Sequence, residues 1–327
     1  MSQDFPMQIR DNPPGKDLPL VSILINNYNY GSYLKQAIDS ALNQTYPHIE
    51  VIVVDDGSQD NSAQIIHSYT QQPVIAIFQE NEGQASTFNA AFLASSGEII
   101  CFLDADDFFY PEKTSIVVDK FLDCSDIGWI FHNPTYVDAH STVLPREKPA
   151  GSICRTEIVD FREIFEQGSR FTLALPATCG LCMHRKVLQQ ILPMPKSQGV
   201  TISDNYLKYA ALALSPGMLL DKQLAAQRIH GKNIYTFRND YKLRAEINIK
   251  TGFYLRQNFP QIFRFADKIF ARGCGEMIAE AGWSSLTVLP EFQTYLQNYA
   301  PPSMLAKNGS KALLHALWFK LKKLRAF

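Results

Sequence analysis

Between residues 20 and 107 the chain repeats one phrase four times: a short apolar, β-branched run that breaks off in polar or acidic residues, followed by a helical pattern. The apolar runs are "LVSILIN" (20–26), "HIEVIVVDD" (48–56), "VIAIF" (74–78) and "GEIICFLDADD" (97–107). The segments between them have helical spacing. In "GSYLKQAIDSALNQTY" the apolar positions are Tyr33, Leu34, Ala37, Ile38, Ala41 and Leu42, with Ser32 as N-cap. "SQDNSAQIIHSYTQ" opens a helix at Asp60 or Ser62, and "GQASTFNAAFLAS" is a helix of small residues. Strands joined by helices over short links imply a parallel sheet with crossover helices on its faces. In such sheets ligands sit beyond the carboxyl ends of the strands. Asn26–Asn29, Asp55–Asp56, Asn81–Gln84 and Asp104–Asp107 all fall at or after strand ends, so the four clusters are expected to converge on one edge.

Bulk properties bound the rest. The chain has 327 residues, enough for one large α/β domain with an appendage or for two domains. Hydrophobic residues make up 46% and charged residues 19%, as in an ordinary folded protein, and the net charge of −1 draws nothing toward nucleic acid. The six cysteines are scattered, which suits a reducing compartment. Cys179 and Cys182 form one C-x-x-C with only His184 near; the readings are a redox or metal site, or two half-buried strand cysteines. Residues 1–17 read as a polar, proline-rich lead-in without a signal-peptide core, and no apolar window is long enough to span a bilayer. The expected location is the cytoplasm, free or peripheral at the inner face of a membrane.

Downstream, "EKTSIVVDKFLDC" after Pro111 reads as a helix and "IGWIFHNPTYVDAHSTVL" as two strands with a turn. "FREIFEQG" is a short helix, and "FTLALPATCGLCMHRKVLQQI" a strand then a helix. "ISDNYLKYAALALS" is a helix opened by Ser203 or Asp204, and "GMLLDKQLAAQRIHGKN" is extended. From about residue 241 the pattern turns amphipathic and helical. The expected division is therefore 18–240, in a donor half (18–120) and an acceptor half (121–240), followed by a helical region at 241–327.

The acidic cluster carries the chemistry. Asp104 and Asp106 flank Ala105 and share a face in extended geometry, and Asp107 starts the turn. Carboxylates so placed suit a hard divalent cation, Mg²⁺ or Mn²⁺, which completes its shell with water and substrate phosphate. The plain alternative is an aspartate turn capping the next helix, which one Asp commonly makes and three in four positions rarely do. A phosphohydrolase of the haloacid-dehalogenase type also carries D-x-D at a strand end, with the first Asp as nucleophile, here Asp104. Its motif sits on the first strand rather than the fourth. A non-catalytic sugar-nucleotide binding protein is the third reading.

The stretches "PLVSILINNYNYGSYLKQAIDSALNQTYPHIEVIVVDDGSQDNS" and "NEGQASTFNAAFLASSGEIICFLDADDFFYPEK" resemble the N-terminal half of a family 2 glycosyltransferase, strongly over 18–120 and weakly over 120–240. The resemblance implies a GT-A fold (a mostly parallel central sheet flanked by helices) and inverting transfer of sugar from a nucleotide-diphosphate-sugar, with a UDP-sugar favoured. It implies that Tyr28, between Asn27 and Asn29, stacks on the donor base. Asp56 reads the base edge beside Asp55, while Asn81, Gly83 and Gln84 border the donor. Asp104, Ala105 and Asp106 form the D-x-D, and Asp106, Asp107 and His230 are the metal candidates. The sequence departs from the family at Asn26–Asn27, where Pro-Thr is common, and at Thr87–Phe88–Asn89, where Ala-Arg-Asn is common. Arg228 is the candidate to replace the lost phosphate contact. Asp204 occupies the place of the catalytic base, with helix capping as its alternative. Trp129, Phe131 and His132 lie on a strand near the acceptor and either stack on a sugar or pack in the core. The acceptor is expected to be a carbohydrate or lipid-linked. The tail "KALLHALWFKLKKLRAF" (311–327) reads as a basic amphipathic helix that rests on an anionic membrane surface or packs on its own domain.

Overall fold

The structure is a computed structural model and describes residues 18–145, 150–195, 204–231, 233 and 240–299. The four-fold phrase forms as written: β1 (Val21–Asn27), α1 (Gly31–Leu42), β2 (Ile49–Asp55), α2 (Ser62–His67), β3 (Val74–Phe78), α3 (Gln84–Ala94) and β4 (Ile99–Asp104). Then come β5 (Phe108–Phe109), α4 (Lys113–Asp123), β6 (Trp129–His132), β7 (Thr135–Val137), β8 (Glu157–Val159) and α5 (Arg162–Gln167). After them follow β9 (Leu181–His184), α6 (Arg185–Ile191), α7 (Asn205–Leu214), β10 (Gly217–Leu220) and β11 (Ala225–Arg228). The chain continues through α8 (Tyr241–Asn258), α9 (Phe263–Ala281), α10 (Trp283–Thr287) and α11 (Pro290–Tyr299).

Eight strands make the main sheet in the order β3-β2-β1-β4-β9-β6-β10-β8. β1 to β4 are mutually parallel. β9 runs antiparallel between β4 and β6, and so joins the parallel strands β1 to β4 to the rest of the sheet. A second sheet, β5-β11-β7, stands apart from the first. The sequence pairs β6 and β7 by a turn; the structure instead sends them to different sheets, because β7 lies parallel to β11. Residues 171–177 are irregular, and the strand expected there is only Leu181–His184.

Continuous apolar runs form strands buried on both faces. Leu24, Ile52, Val54 and Phe102 face one core, and Ile23, Ile25, Val51 and Val53 face the other. The first core is closed by α3, α6 and α7 and extends to Leu255 and Phe265 of α8 and α9; the second is closed by α1 and α4. Trp129, Phe131 and His132 are fully buried, so the core-packing reading holds and none of them faces a ligand. Cys179 and Cys182 are likewise fully buried rather than half-buried, and Cys182 lies 3.5 Å from Cys101 across the β4–β9 pair. The start of α1 is capped not by Ser32 but by Asp60, whose Oδ2 accepts from the Gly31 N–H at 2.8 Å. Asp60 also accepts from the first amide of α2, that of Ser62, at 2.9 Å. One carboxylate thus serves two helix N-termini. α8 starts where the sequence changes character, with Asp240 accepting from the Leu243 N–H at 2.9 Å.

Candidate active site

The four strand-end clusters meet. Together with residues from β7, the 174–178 segment and α7 they line a cleft of about 510 Å³. β1 contributes Asn26, Asn27 and, just beyond, Tyr28; β2 contributes Asp56; the β3–α3 link contributes Asn81, Gly83 and Gln84; β4 contributes Asp104, Ala105 and Asp106. Asp204, at the head of α7, and Lys208, on it, join them, and Thr178, Tyr136, Gln227 and Asn233 also line the cleft.

Each side chain is held for a reason. Tyr28 stands at the rim, 37% exposed, its ring free to meet a planar ligand. Asp56 is buried and fastens the β3–α3 link: its Oδ1 accepts from Gln79 Nε2 at 2.6 Å and the Glu82 N–H at 2.9 Å, and its Oδ2 from the Gly83 N–H at 2.7 Å. Gly83 has φ +85°, a left-handed backbone that other residues rarely adopt, and this turn aims its amide at Asp56. A carboxylate has about four acceptor positions, so Asp56 keeps one for a ligand. Asn27 donates to Asp55 at 2.6 Å, while its own Oδ1 is buried without a partner.

Asp104 accepts from Asn26 Nδ2 at 2.9 Å and Gln84 Nε2 at 3.1 Å. It keeps some exposure to the cleft, yet the protein around it is dense: burial, then the neighbouring Asp106, push its carboxyl up to about 7, against the hydrogen bonds from Asn26 and Thr178. Asp106 Oδ2 meets His230 Nε2 at 3.0 Å and Asn233 Nδ2 at 3.2 Å. Asp107 accepts from the Arg228 N–H at 2.8 Å, and burial, then Asp106 and Asp104, hold its carboxyl well above the usual carboxylate range. Ligand oxygens of all three aspartates lie within 4.8 Å of one another. The buried, unpartnered Oδ1 of Asn26 is on the same wall. This all-oxygen, anionic donor set fits a hard divalent cation.

Several expected residues stand behind the wall. Asp55 accepts from Asn27 and from the Ser58 N–H, which closes the β2 turn. Asn29, at φ +59°, accepts from the Gln59 N–H at 2.8 Å and shapes the loop that presents Tyr28. His230 backs Asp106 and stacks on Tyr33, ring centroids 4.9 Å apart. Arg228 does not reach the cleft. Its guanidinium is buried and bound to the Asp106 and Ala139 carbonyls at 2.8 and 3.0 Å and to Gln36 Oε1 at 2.6 Å, and it lies over the Tyr33 ring. Its expected phosphate contact is replaced by a structural role, tying the D-x-D backbone to β11 and α1. Asp204 heads α7, but its side chain makes no capping hydrogen bond. Its Oδ2 instead pairs with Lys208 Nζ at 2.9 Å. Lys208 was not legible as a site residue, although its i+4 spacing from Asp204 was the available signal. Thr178 had none.

The fold and cleft define a GT-A class protein: strand-end acids of a parallel half-sheet face an acid on a helix of the second half. The solved structure of S. aureus TarS 1–349 in complex with UDP-GlcNAc superposes with a TM-score of 0.63 at 18% identity, covering 94% of this chain and 92% of that one. A Pyrobaculum calidifontis mannosyltransferase in complex with GDP-Man and Mn²⁺ gives 0.54 at 16% identity, covering 92% and 88%. The glycosyl transferase family 2 model matches residues 22–191, and the chain belongs to that family. An uncharacterized glycosyltransferase of Nostoc sp. is 35% identical over 216 residues, 65% of this chain and 66% of that protein. Chondroitin synthase of Pasteurella multocida is 37% identical over 116 residues, 35% of this chain and 12% of that entire protein. The chain thus spans 66% or less of the length of these curated relatives. Among the described residues no helix is long and apolar enough to cross a membrane, and the 311–327 tail lies outside them.

Proposed function

We propose that the protein is an inverting glycosyltransferase that moves a sugar from a nucleotide-diphosphate-sugar to an acceptor hydroxyl. The observation that carries this is the placement of Asp204 across one cleft from Asp104 and Asp106. Asp204 takes the proton of the acceptor hydroxyl, whose oxygen forms a bond to the anomeric carbon from the face opposite the leaving group. The bond from that carbon to the diphosphate oxygen breaks, and the electron pair leaves with the diphosphate. Asp104 and Asp106, with Asp107 and the Asn26 carbonyl beside them, would hold Mg²⁺ or Mn²⁺, which supplies charge neutralisation at the departing diphosphate.

The donor base meets Tyr28 and two acceptors, the Asn27 Oδ1 and the remaining position on Asp56. Acceptors favour a base with a ring N–H on its pairing edge, uracil or guanine, and a UDP-sugar is the favoured donor. TarS binds UDP-GlcNAc and the Pyrobaculum enzyme GDP-Man, which supports this class of ligand. The acceptor is a carbohydrate or a lipid-linked carbohydrate, in polysaccharide or glycoconjugate synthesis. The basic amphipathic pattern of residues 311–327 supports peripheral contact with an anionic membrane surface.

A thermal-shift screen of nucleoside diphosphates and nucleotide-sugars, with and without Mn²⁺, finds the base, because ligand binding raises apparent stability by mass action. Asp204→Asn is expected to keep donor binding and lose turnover. Wild-type turnover in that variant would sink the assignment of the base and leave another group in that role, whereas donor binding with no turnover in the wild type would leave a sugar-nucleotide binder. Family membership disfavours a phosphohydrolase acting through Asp104, and failure to trap phosphate on Asp104 is the matching expectation.

A further inference from the structure

The two oxygens of a carboxylate are equivalent until something holds one of them. Asp204 Oδ2 is held by Lys208 Nζ at 2.9 Å and approached at 3.4 Å by the Thr178 hydroxyl, whose one proton lies between this acid and Asp104. Lys208 is 5% exposed although it lies on the cleft wall, and its ammonium also donates to the Pro176 carbonyl at 3.1 Å. A buried ammonium without partners is costly, so this pairing is fixed rather than incidental. Thr178 is 3% exposed and also sits against Asp104, the acid of the opposite wall.

The segment that carries these contacts is itself pinned. Lys113, fully buried, donates to the Cys179 carbonyl at 2.6 Å from the other side. A Cβ at Gly180 would lie 2.2 Å from the His132 carbonyl oxygen, so only glycine lets Pro176–Gly180 sit this close to β6. Two buried lysines thus grip one short segment, and that segment presents Thr178 between the two acid groups.

We propose that Lys208 and Thr178 are positioning residues for Asp204: they hold Oδ2 in the wall and turn Oδ1 to the acceptor hydroxyl. This rests on Asp204 as the base. The competing account is an ordinary i, i+4 ion pair that stabilises the first turn of α7 and does nothing else.

The two accounts separate in a double-mutant cycle. Lys208→Met, Lys208→Arg and Thr178→Val are made in the wild-type and in the Asp204→Asn background of the full chain. Turnover of UDP-GlcNAc, UDP-glucose and GDP-mannose is followed in Mn²⁺ as release of the nucleoside diphosphate, with water as acceptor. In the wild-type background Lys208→Met is expected to lower kcat roughly 10- to 100-fold, the range for loss of one charge-assisted hydrogen bond, while KM for the donor moves less than about twofold. Lys208→Arg restores part of the loss, and Thr178→Val costs several-fold. In the Asp204→Asn background the same changes are expected to cost nothing further, because the group they position no longer acts. Equal fold-losses in both backgrounds, or a change confined to KM, would overturn the proposal. If Lys208→Met fails to fold, Thr178→Val carries the same cycle with a near-isosteric change. If Asp204→Asn turns over like the wild type, the assignment of the base falls and this inference with it; if no donor is turned over at all, the transferase reading falls as well. If Asp204→Asn keeps only a small residual turnover and the losses are additive on it, only this inference falls.

Discussion

Replacing Asp106 by Asn is expected to stabilise the protein without metal and destabilise it, relative to wild type, with metal. Asp106 is the first neighbouring charge, after burial, that raises both Asp104 and Asp107. At 4.8 Å, the outer limit of their spacing, two unit charges repel by about 3.5 kcal/mol for an effective dielectric constant near 20. Protonation of Asp104 and Asp107 already relieves part of that, and the variant weakens the contact with His230. The net gain in EDTA at neutral pH is then about 1–2 kcal/mol, a shift of a few degrees. In Mn²⁺ at a hundredfold over its dissociation constant the wild type gains about 2.7 kcal/mol and the variant, lacking a central ligand, gains little. Urea unfolding followed by tryptophan fluorescence, in EDTA and in Mn²⁺, reads both differences. The reasoning fails if Asp106→Asn is the less stable protein in EDTA, or if it gains as much from Mn²⁺ as the wild type does.

Two further outcomes follow from side chains already placed. Burial, then the Lys113 charge, hold the His132 imidazole well below its usual value of 6.5. The unfolded chain therefore binds a proton that the folded one refuses, and stability should fall by up to about 1.4 kcal/mol per unit as the pH drops below about 6.5. His132→Phe should flatten that slope in unfolding experiments between pH 4.5 and 6.5, and an unchanged slope would assign the acid sensitivity to other groups. Tyr28→Ala should weaken nucleoside diphosphate binding by about 1–3 kcal/mol in calorimetry, the range for a base stacked on an aromatic ring, with no change in fold; unchanged affinity would remove Tyr28 from the base site.

Legibility in the sequence tracked locality. The first four strands were readable because each buries both faces and so writes an unbroken apolar run, and their ends were readable because acids cannot continue such a run. The convergence of Asp56, Gln84 and Asp104 then followed from the strand-end rule alone. Non-local choices were hidden. Nothing near Gly31 signals that Asp60, 29 residues away, caps α1. Arg228 carries the charge a phosphate would want, but Gln36, Ala139 and the Asp106 carbonyl claim it first. β7 has the length and pattern of a hairpin partner for β6, yet its pairing is set by β11, whose first residue lies 88 residues after the last of β7.

The antiparallel insertion of β9 also sets an order of events during synthesis. β4 is complete at residue 104, but its second edge stays open until residues 181–184 emerge, and Ile99 waits for His184. Pairing across such a gap is slow to close, and an open apolar edge is a template for the wrong partner. Asp107 waits longer still, for the amide of Arg228, 121 residues on. The nascent chain therefore carries its acidic motif long before it can seat it. A ribosome-bound or truncated chain ending short of residue 228 should be the species that chaperones hold, and cation-dependent stabilisation should appear only once β11 has docked.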